Sequence, residues 1–258
     1  MEVPGIDVSS HQGVIDWSKV QTDFVILRAG WSWYQGGMNI DQRFLENVAG
    51  VQAAGIPWGV YLYAYDRTPA AARIAAARLS DLLSDYELAY PVYYDIEDDQ
   101  YTKMSREDNT AIALAFLEAM KERGHYTGLY TYTSFANSFL VMEKLASYDL
   151  WIADYRGKMG YTGPGDVWMW QHTGTGGRTQ GISGDVDQNL CYKDYPSIIQ
   201  PTIPPVGQNP PAGIPDGWVP QVVVDKLQAD YTALEARYNS TIESIKKIIQ
   251  EAQGLGLT

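Results

Sequence analysis

The first 195 residues alternate short apolar runs with longer amphipathic stretches, and this alternation constrains the fold more than any other feature of the chain. The apolar runs predict strands at 3–8, 24–29, 58–63, 91–95, 127–130, 149–153, 167–171 and 184–189. Helical spacing predicts helices at 41–54, 69–84, 106–123 and 134–145. The third has Ser105 in the N-cap position, Asp108 three residues on as a weak capping box, and Gly124 at its end. Strands separated by helices pair in parallel, because a hairpin cannot join parallel neighbours. Towards the end helices disappear, and Gly-rich loops such as 173–184 join short strands. Eight strands so arranged predict an α/β barrel, regular at first and irregular in its last third. A site in such a fold sits at the C-terminal ends of the strands.

Composition narrows the partners. The net charge is −12 and the basic residues are scattered, which excludes nucleic acid, whose phosphates require a dense basic face. The same charge gives no long-range steering towards an anionic polymer, so affinity for one must come from short-range contacts. No run of about 18 apolar residues occurs, so no membrane span is expected. The opening residues lack a basic stretch followed by an apolar core, so no secretory signal is expected in them. Cys191 is the single cysteine and reads as core. His11, His125 and His172 are far apart and form no local ligand pair, so no metal site, and no cofactor, is expected. Tyr and Trp number 19 and 8 against 5 Phe; these rings suit sugar faces as well as a core.

Composition changes at Pro201. The segment PTIPPVGQNPPAGIP (201–215) reads as a semi-rigid spacer within a linker at 199–217. Beyond it, Val224, Leu227, Tyr231, Leu234, Tyr238, Thr241, Ile245, Ile248 and Ala252 fall at a and d positions. A long helix over 218–254 is expected, with self-association through a coiled coil favoured over packing on the barrel.

Acids stand at the strand ends. In Pro91-Val92-Tyr93-Tyr94-Asp95-Ile96-Glu97 an apolar strand closes with two carboxylates two residues apart, on one face if the strand stays extended. A close like charge raises the pKa of one partner and keeps an acid protonated near neutral pH. Asp7 ends the first strand in the same manner, and Asp185 and Asp187 lie on the last. Paired carboxylates of this kind suit glycosidic hydrolysis, which needs a proton donor and a stabiliser of positive charge.

The stretch Gly5-Ile6-Asp7-Val8-Ser9-Ser10-His11-Gln12-Gly13, followed by Ile15-Asp16-Trp17, resembles the opening of family 25 glycoside hydrolases, the Chalaropsis-type lysozymes. Further blocks follow in order: residues 24–30, 54–61, Asp95-Ile96-Glu97, 150–155, Trp170-Gln171, and Asp185-Val186-Asp187-Gln188-Asn189. The resemblance spans about residues 3 to 195. It implies an irregular flattened barrel of five β/α units and three further strands over 1–198. It further implies cleavage of the β-1,4 bond between N-acetylmuramic acid and N-acetylglucosamine of bacterial peptidoglycan, with retained configuration. Glu97 matches the general acid, Asp95 its partner, and Asp7 and Asp187 the outer acids of the cleft. Tyr61, Tyr63, Trp33, Trp151, Asp154 and Gln171 are expected as sugar contacts. Arg28, inside a strand, is expected to pair with buried acids. The implied setting is that of a phage or prophage endolysin acting on the cell wall. The reading from another class is a barrel that binds wall without cutting it, which the presence of both Asp95 and Glu97 opposes.

Overall fold

A computed structural model describes residues 2–199. The linker expected at 199–217, beyond its first residue, and the helix expected at 218–254 lie outside the described residues.

The strands are β1 (Val3–Val8), β2 (Phe24–Ser32), β3 (Met38–Ile40), β4 (Trp58–Tyr63), β5 (Val92–Asp95), β6 (Thr127–Tyr132), β7 (Asp149–Ala153), β8 (Val167–Thr173) and β9 (Asp187–Cys191). All belong to one 9-stranded sheet. Parallel neighbours run from β1 through β2 and β4 to β8. β9 lies antiparallel between β8 and β1 and so closes the ring. β3, which the apolar pattern did not reveal, is a rim hairpin on β2, formed through the turn at Gly36 and Gly37. The result is an α/β barrel whose last third is irregular.

Helices α1 (Phe44–Ala54), α2 (Pro69–Leu83) and α3 (Arg106–Glu122) make three of the crossovers. Their ends follow local chemistry. The Thr68 hydroxyl accepts from the Ala71 amide at 3.1 Å to start α2, and Ser105 and Asp108 bond each other reciprocally to start α3. Gly55, at φ 66, stops α1 in the left-handed conformation. The single helix expected at 134–145 is instead two, α4 (Thr133–Phe139) and α5 (Met142–Leu145), because α3 stabilises a break between them. Arg106 Nε donates to the Leu140 carbonyl at 3.0 Å, and the Val141 amide donates to Thr110 Oγ1 at 2.8 Å. The first crossover, from β1 to β2, carries only two 3-10 turns, Ser10–Gln12 and Trp17–Lys19. The last strand starts at Asp187 rather than 184, since Gly184 at φ 100 still belongs to the preceding turn. A short helix, α6 (Tyr195–Ile198), follows it.

Strand alternation divides the apolar residues into two cores. Val25, Leu27, Val60, Leu62, Leu129 and Ile152 face outward beneath the helices. Phe24, Ile26, Tyr93, Tyr130, Trp151 and Met169 fill the barrel interior. Rings of this size fit because glycines face them: a Cβ at Gly5 would overlap Phe24, and one at Gly128 would stand 2.5 Å from Tyr93. Lys193 Nζ bonds Asp149 Oδ2 and the Tyr126 hydroxyl, both at 2.8 Å, while the Tyr195 hydroxyl reaches Asp149 at 3.0 Å. This network lies at the N-terminal ends of β6 and β7, the end opposite the acids. Among the described residues no helix is long and apolar enough to cross a membrane.

Candidate active site

Strand parity brings the acids to one rim. Asp7 stands near the C-terminal end of β1, Asp95 ends β5, and Glu97 follows two residues on. β9 runs the other way, so its first residue, Asp187, pairs across the ladder with Asp7. A single antiparallel strand thus places a fourth carboxyl among three from parallel ones.

Burial dominates the electrostatics. It pushes the Asp7 carboxyl up to about 6, against the opposing hydrogen bonds from Asn189 and Gln171. Asp95 is driven well above the carboxylate range by burial and then by the charges of Glu97 and Asp7, with Arg28 opposing. Its Oδ1 is buried without a hydrogen-bond partner among the described residues. Burial, followed by the charges of Asp7 and Asp98, raises Glu97 to about 7. Burial, with Asp7, Glu97 and Asp185 behind it, raises Asp187 to about 8. Four carboxyls sharing so little water cannot all ionise, so the cluster holds protons at neutral pH.

Two hollows flank the cluster. One, of about 630 Å³, is lined by Glu97, Tyr130, Tyr132, Asn137, Tyr155 and Arg156, among others. The other, of about 190 Å³, is lined by Asp7, Ser9, His11, Tyr61, Asp185 and Asp187 among others. A hydrogen-bonded chain joins their walls. The hydroxyls of Tyr130 and Tyr155 donate to Gln171 Oε1 at 2.8 and 2.6 Å. Gln171 Nε2 and Asn189 Nδ2 both donate to Asp7 Oδ2 at 2.8 Å, and Trp151 Nε1 donates to Asn189 Oδ1 at 2.8 Å.

The residues expected as sugar contacts take different places. Tyr61 and Tyr63 are half-buried at the rim, on the face that parity assigns them. Trp33 is exposed in the β2–β3 turn and lines neither hollow. Trp151 is only 1% exposed, lies inside the barrel and presents no face to a ligand. The Gln171 amide is consumed by two tyrosines and Asp7, which makes it a positioning residue rather than a contact. Asp154 lines the Glu97 hollow as expected, but its carboxyl is occupied by Arg156, Thr133 and the Gly160 amide. Arg28 pairs with Asp41, its Nε donating to Oδ2 at 2.7 Å, and holds the Ser10 hydroxyl at 2.9 Å. Tyr130, Tyr132, Asn137 and Arg156 were not anticipated. For Tyr130 a usable signal existed, since it shares its face with Gly128 on β6. Among the described residues no group of three His, Cys, Asp or Glu is arranged to hold a metal ion. His11 lines the smaller hollow, whereas His125 bonds the Ser80 hydroxyl and His172 bonds that of Thr173. Cys191 is fully buried, and burial raises its thiol to about 11.

The buried acids carry a stability cost with a definite sign. Asp95 in the folded protein titrates above its unfolded value of about 3.9, so the native state binds the extra proton. Its stabilising contribution is present below the unfolded value and is lost as pH rises through the folded one. Asp95→Asn removes this dependence. We expect it to raise stability at pH 8 by on the order of 2 kcal/mol, or roughly 4–8 °C in Tm, with less gain at pH 5. Melting curves at both pH values check this; a variant less stable than wild type at pH 8 contradicts it.

The profile of the family described as Glycosyl hydrolases family 25 matches residues 6–182. Among solved structures, the modular autolysin LytC from Streptococcus pneumoniae aligns with a TM-score of 0.67 at 29% identity, over 74% of this chain and 47% of the autolysin. The chain therefore spans about half the length of that relative. The bacterial lysozyme from Streptomyces coelicolor aligns with a TM-score of 0.63 at 26% identity, over 76% of this chain and 95% of the lysozyme. The catalytic domain of endolysin ply40 from bacteriophage P40 of Listeria monocytogenes aligns with a TM-score of 0.63 at 25% identity, over 77% and 97% of the two chains. No curated protein sequence matches the chain.

Proposed function

Since the chain belongs to glycosyl hydrolase family 25, we propose that it is a peptidoglycan hydrolase of the lysozyme type, cutting the β-1,4 bond from N-acetylmuramic acid to N-acetylglucosamine with Glu97 as general acid. One observation carries this reading. Glu97 borders a hollow large enough for sugar rings, and burial among acids keeps it protonated close to neutral pH. Asp187 titrates higher, but it lines the smaller hollow. Position rather than proton affinity therefore selects Glu97.

In the proposed reaction Glu97 gives its proton to the glycosidic oxygen as the C–O bond lengthens. The ionised members of the cluster then face the positive charge developing on the anomeric carbon. Asp95, two residues before Glu97, is the partner that orients the acid or the substrate's acetamido group. A cluster carboxylate or the substrate's own acetamido oxygen bonds to the anomeric carbon as the leaving group departs. Water, deprotonated by Glu97 now acting as base, displaces it, so that two inversions leave the configuration retained. The rings of Tyr61, Tyr63 and Tyr155 supply apolar faces beside this centre.

Likeness to a phage endolysin's catalytic domain supports an endolysin acting on the bacterial wall. The heptad spacing of the tail supports homo-oligomerisation through residues 218–254. Mass spectrometry of digested Gram-positive wall tests the central reading. New reducing ends should be N-acetylmuramic acid. Reducing N-acetylglucosamine, or peptide released from uncut glycan, would overturn it.

A further inference from the structure

Arg156 brings a cation to an acidic site, and its posture is fixed from behind. β7 ends at Ala153, and the next residue, Asp154, is 5% exposed, whereas the Arg156 side chain is 65% exposed. Arg156 Nε donates to Asp154 Oδ1 at 2.7 Å and Nη2 donates to Oδ2 at 2.6 Å. Asp154 is anchored in turn by the Thr133 hydroxyl at 2.8 Å and the Gly160 amide at 3.0 Å. These bonds, the Arg156 pair foremost, hold its carboxyl far below the usual range. The guanidinium is thus gripped along its Nε–Nη2 edge. Among the described residues nothing accepts from Nη1. The remaining edge has the fork geometry that matches the two oxygens of a carboxylate.

The location gives this edge a use. Arg156 borders the same hollow as Glu97, and among the residues lining either hollow it is the only arginine or lysine. We propose that Arg156 forms a carboxylate subsite in the Glu97 hollow, binding a negative group carried by the glycan near the bond to be cut, with Asp154 as its positioning residue. The subsite rests on the hydrolase reading above and adds to it a preference for charged strands. A chain of net charge −12 does not attract an anionic polymer from a distance. The Asp154–Arg156 pair is itself close to neutral. Recognition therefore works through short, oriented N–H donors, which hold a carboxylate more tightly than a neutral acceptor.

The carboxylate has two possible sources: the lactyl group of muramic acid in peptide-free strands, or the stem peptide in substituted ones. The test measures kcat/KM of the full chain on both kinds of strand, each with its carboxyls free and methyl-esterified. Wild type should prefer the free carboxyl by about tenfold, the worth of one charge-assisted pair at a partly exposed position. A preference on peptide-free strands assigns the lactyl group; one confined to peptide-bearing strands assigns the stem. Arg156→Gln should lose the preference. So should the double variant Asp154→Asn with Arg156→Gln, which leaves no unpaired carboxylate in the loop. Wild type indifferent to esterification on both strands, or variants that keep the preference, would overturn the subsite. Should wild type cut none of these strands, the hydrolase reading falls instead. The ratio of dissociation constants for free and esterified strands then decides the subsite on the same criteria.

Discussion

Glu97→Gln is expected to lower kcat on cell-wall glycan by about 10²–10⁴-fold, the usual worth of a positioned general acid. The amide matches the carboxyl in shape but has no proton to give. No described side chain hydrogen-bonds Glu97, so the exchange strands no partner, and the melting temperature should hold or rise. The pH profile adds an independent reading. Burial raises Glu97 to about 7, so the protonated form it needs as an acid is depleted as pH climbs past that value. Wild-type kcat/KM should therefore fall on the alkaline side of about 7, and the residual activity of the variant should not show that fall. A variant as fast as wild type removes Glu97 from the reaction altogether.

The second large effect is on stability. Trp151→Ala should cost about 3–5 kcal/mol, which for a domain of this size is roughly 6–20 °C in Tm. The indole lies at the centre of the barrel, its ring centroid 4.4 Å from Tyr130, 5.1 Å from Tyr93 and 6.0 Å from Tyr61. Truncation leaves a void that those rings, fixed on neighbouring strands, close only in part. The same side chain orders the acid cluster, since its N–H holds Asn189, which in turn holds Asp7. Trp151→Phe separates the two roles. It keeps most of the volume but leaves Asn189 Oδ1 without its donor, so it should lose activity out of proportion to its smaller loss of stability. Thermal melts and kcat on the two variants check both parts. If Trp151→Ala melts within a degree of wild type, the indole does not hold the barrel centre.

Local sequence determined a good deal of this architecture. β1, β4 and β7 run over the residues that apolar patterning marks, because each is a short buried run whose neighbours cannot extend it. Proline and serine at the starts of α2 and α3 act within one helical turn, so those starts are legible without any tertiary information. The Asp95–Glu97 spacing belongs to the same class. Two residues along an extended chain share a face whatever surrounds them.

Ring closure decided the rest. Parity states that Trp151 and Gln171 point inward but not how deep they lie; that depends on the stagger of neighbouring strands. Here the stagger sets Trp151 below the cleft floor and turns Gln171 into a tether for Asp7. The break between α4 and α5 depends on Arg106 and Thr110, which lie some 30 residues upstream. Asp187 meets Asp7 only because β9 returns antiparallel into the gap between β8 and β1. Asp154 carries the charge of a ligand-binding residue, yet Arg156, Thr133 and the Gly160 amide draw that charge inward. Patterning along a chain records which way a side chain points. Its depth and its partners are set by residues distant in sequence, which come together only when the barrel closes.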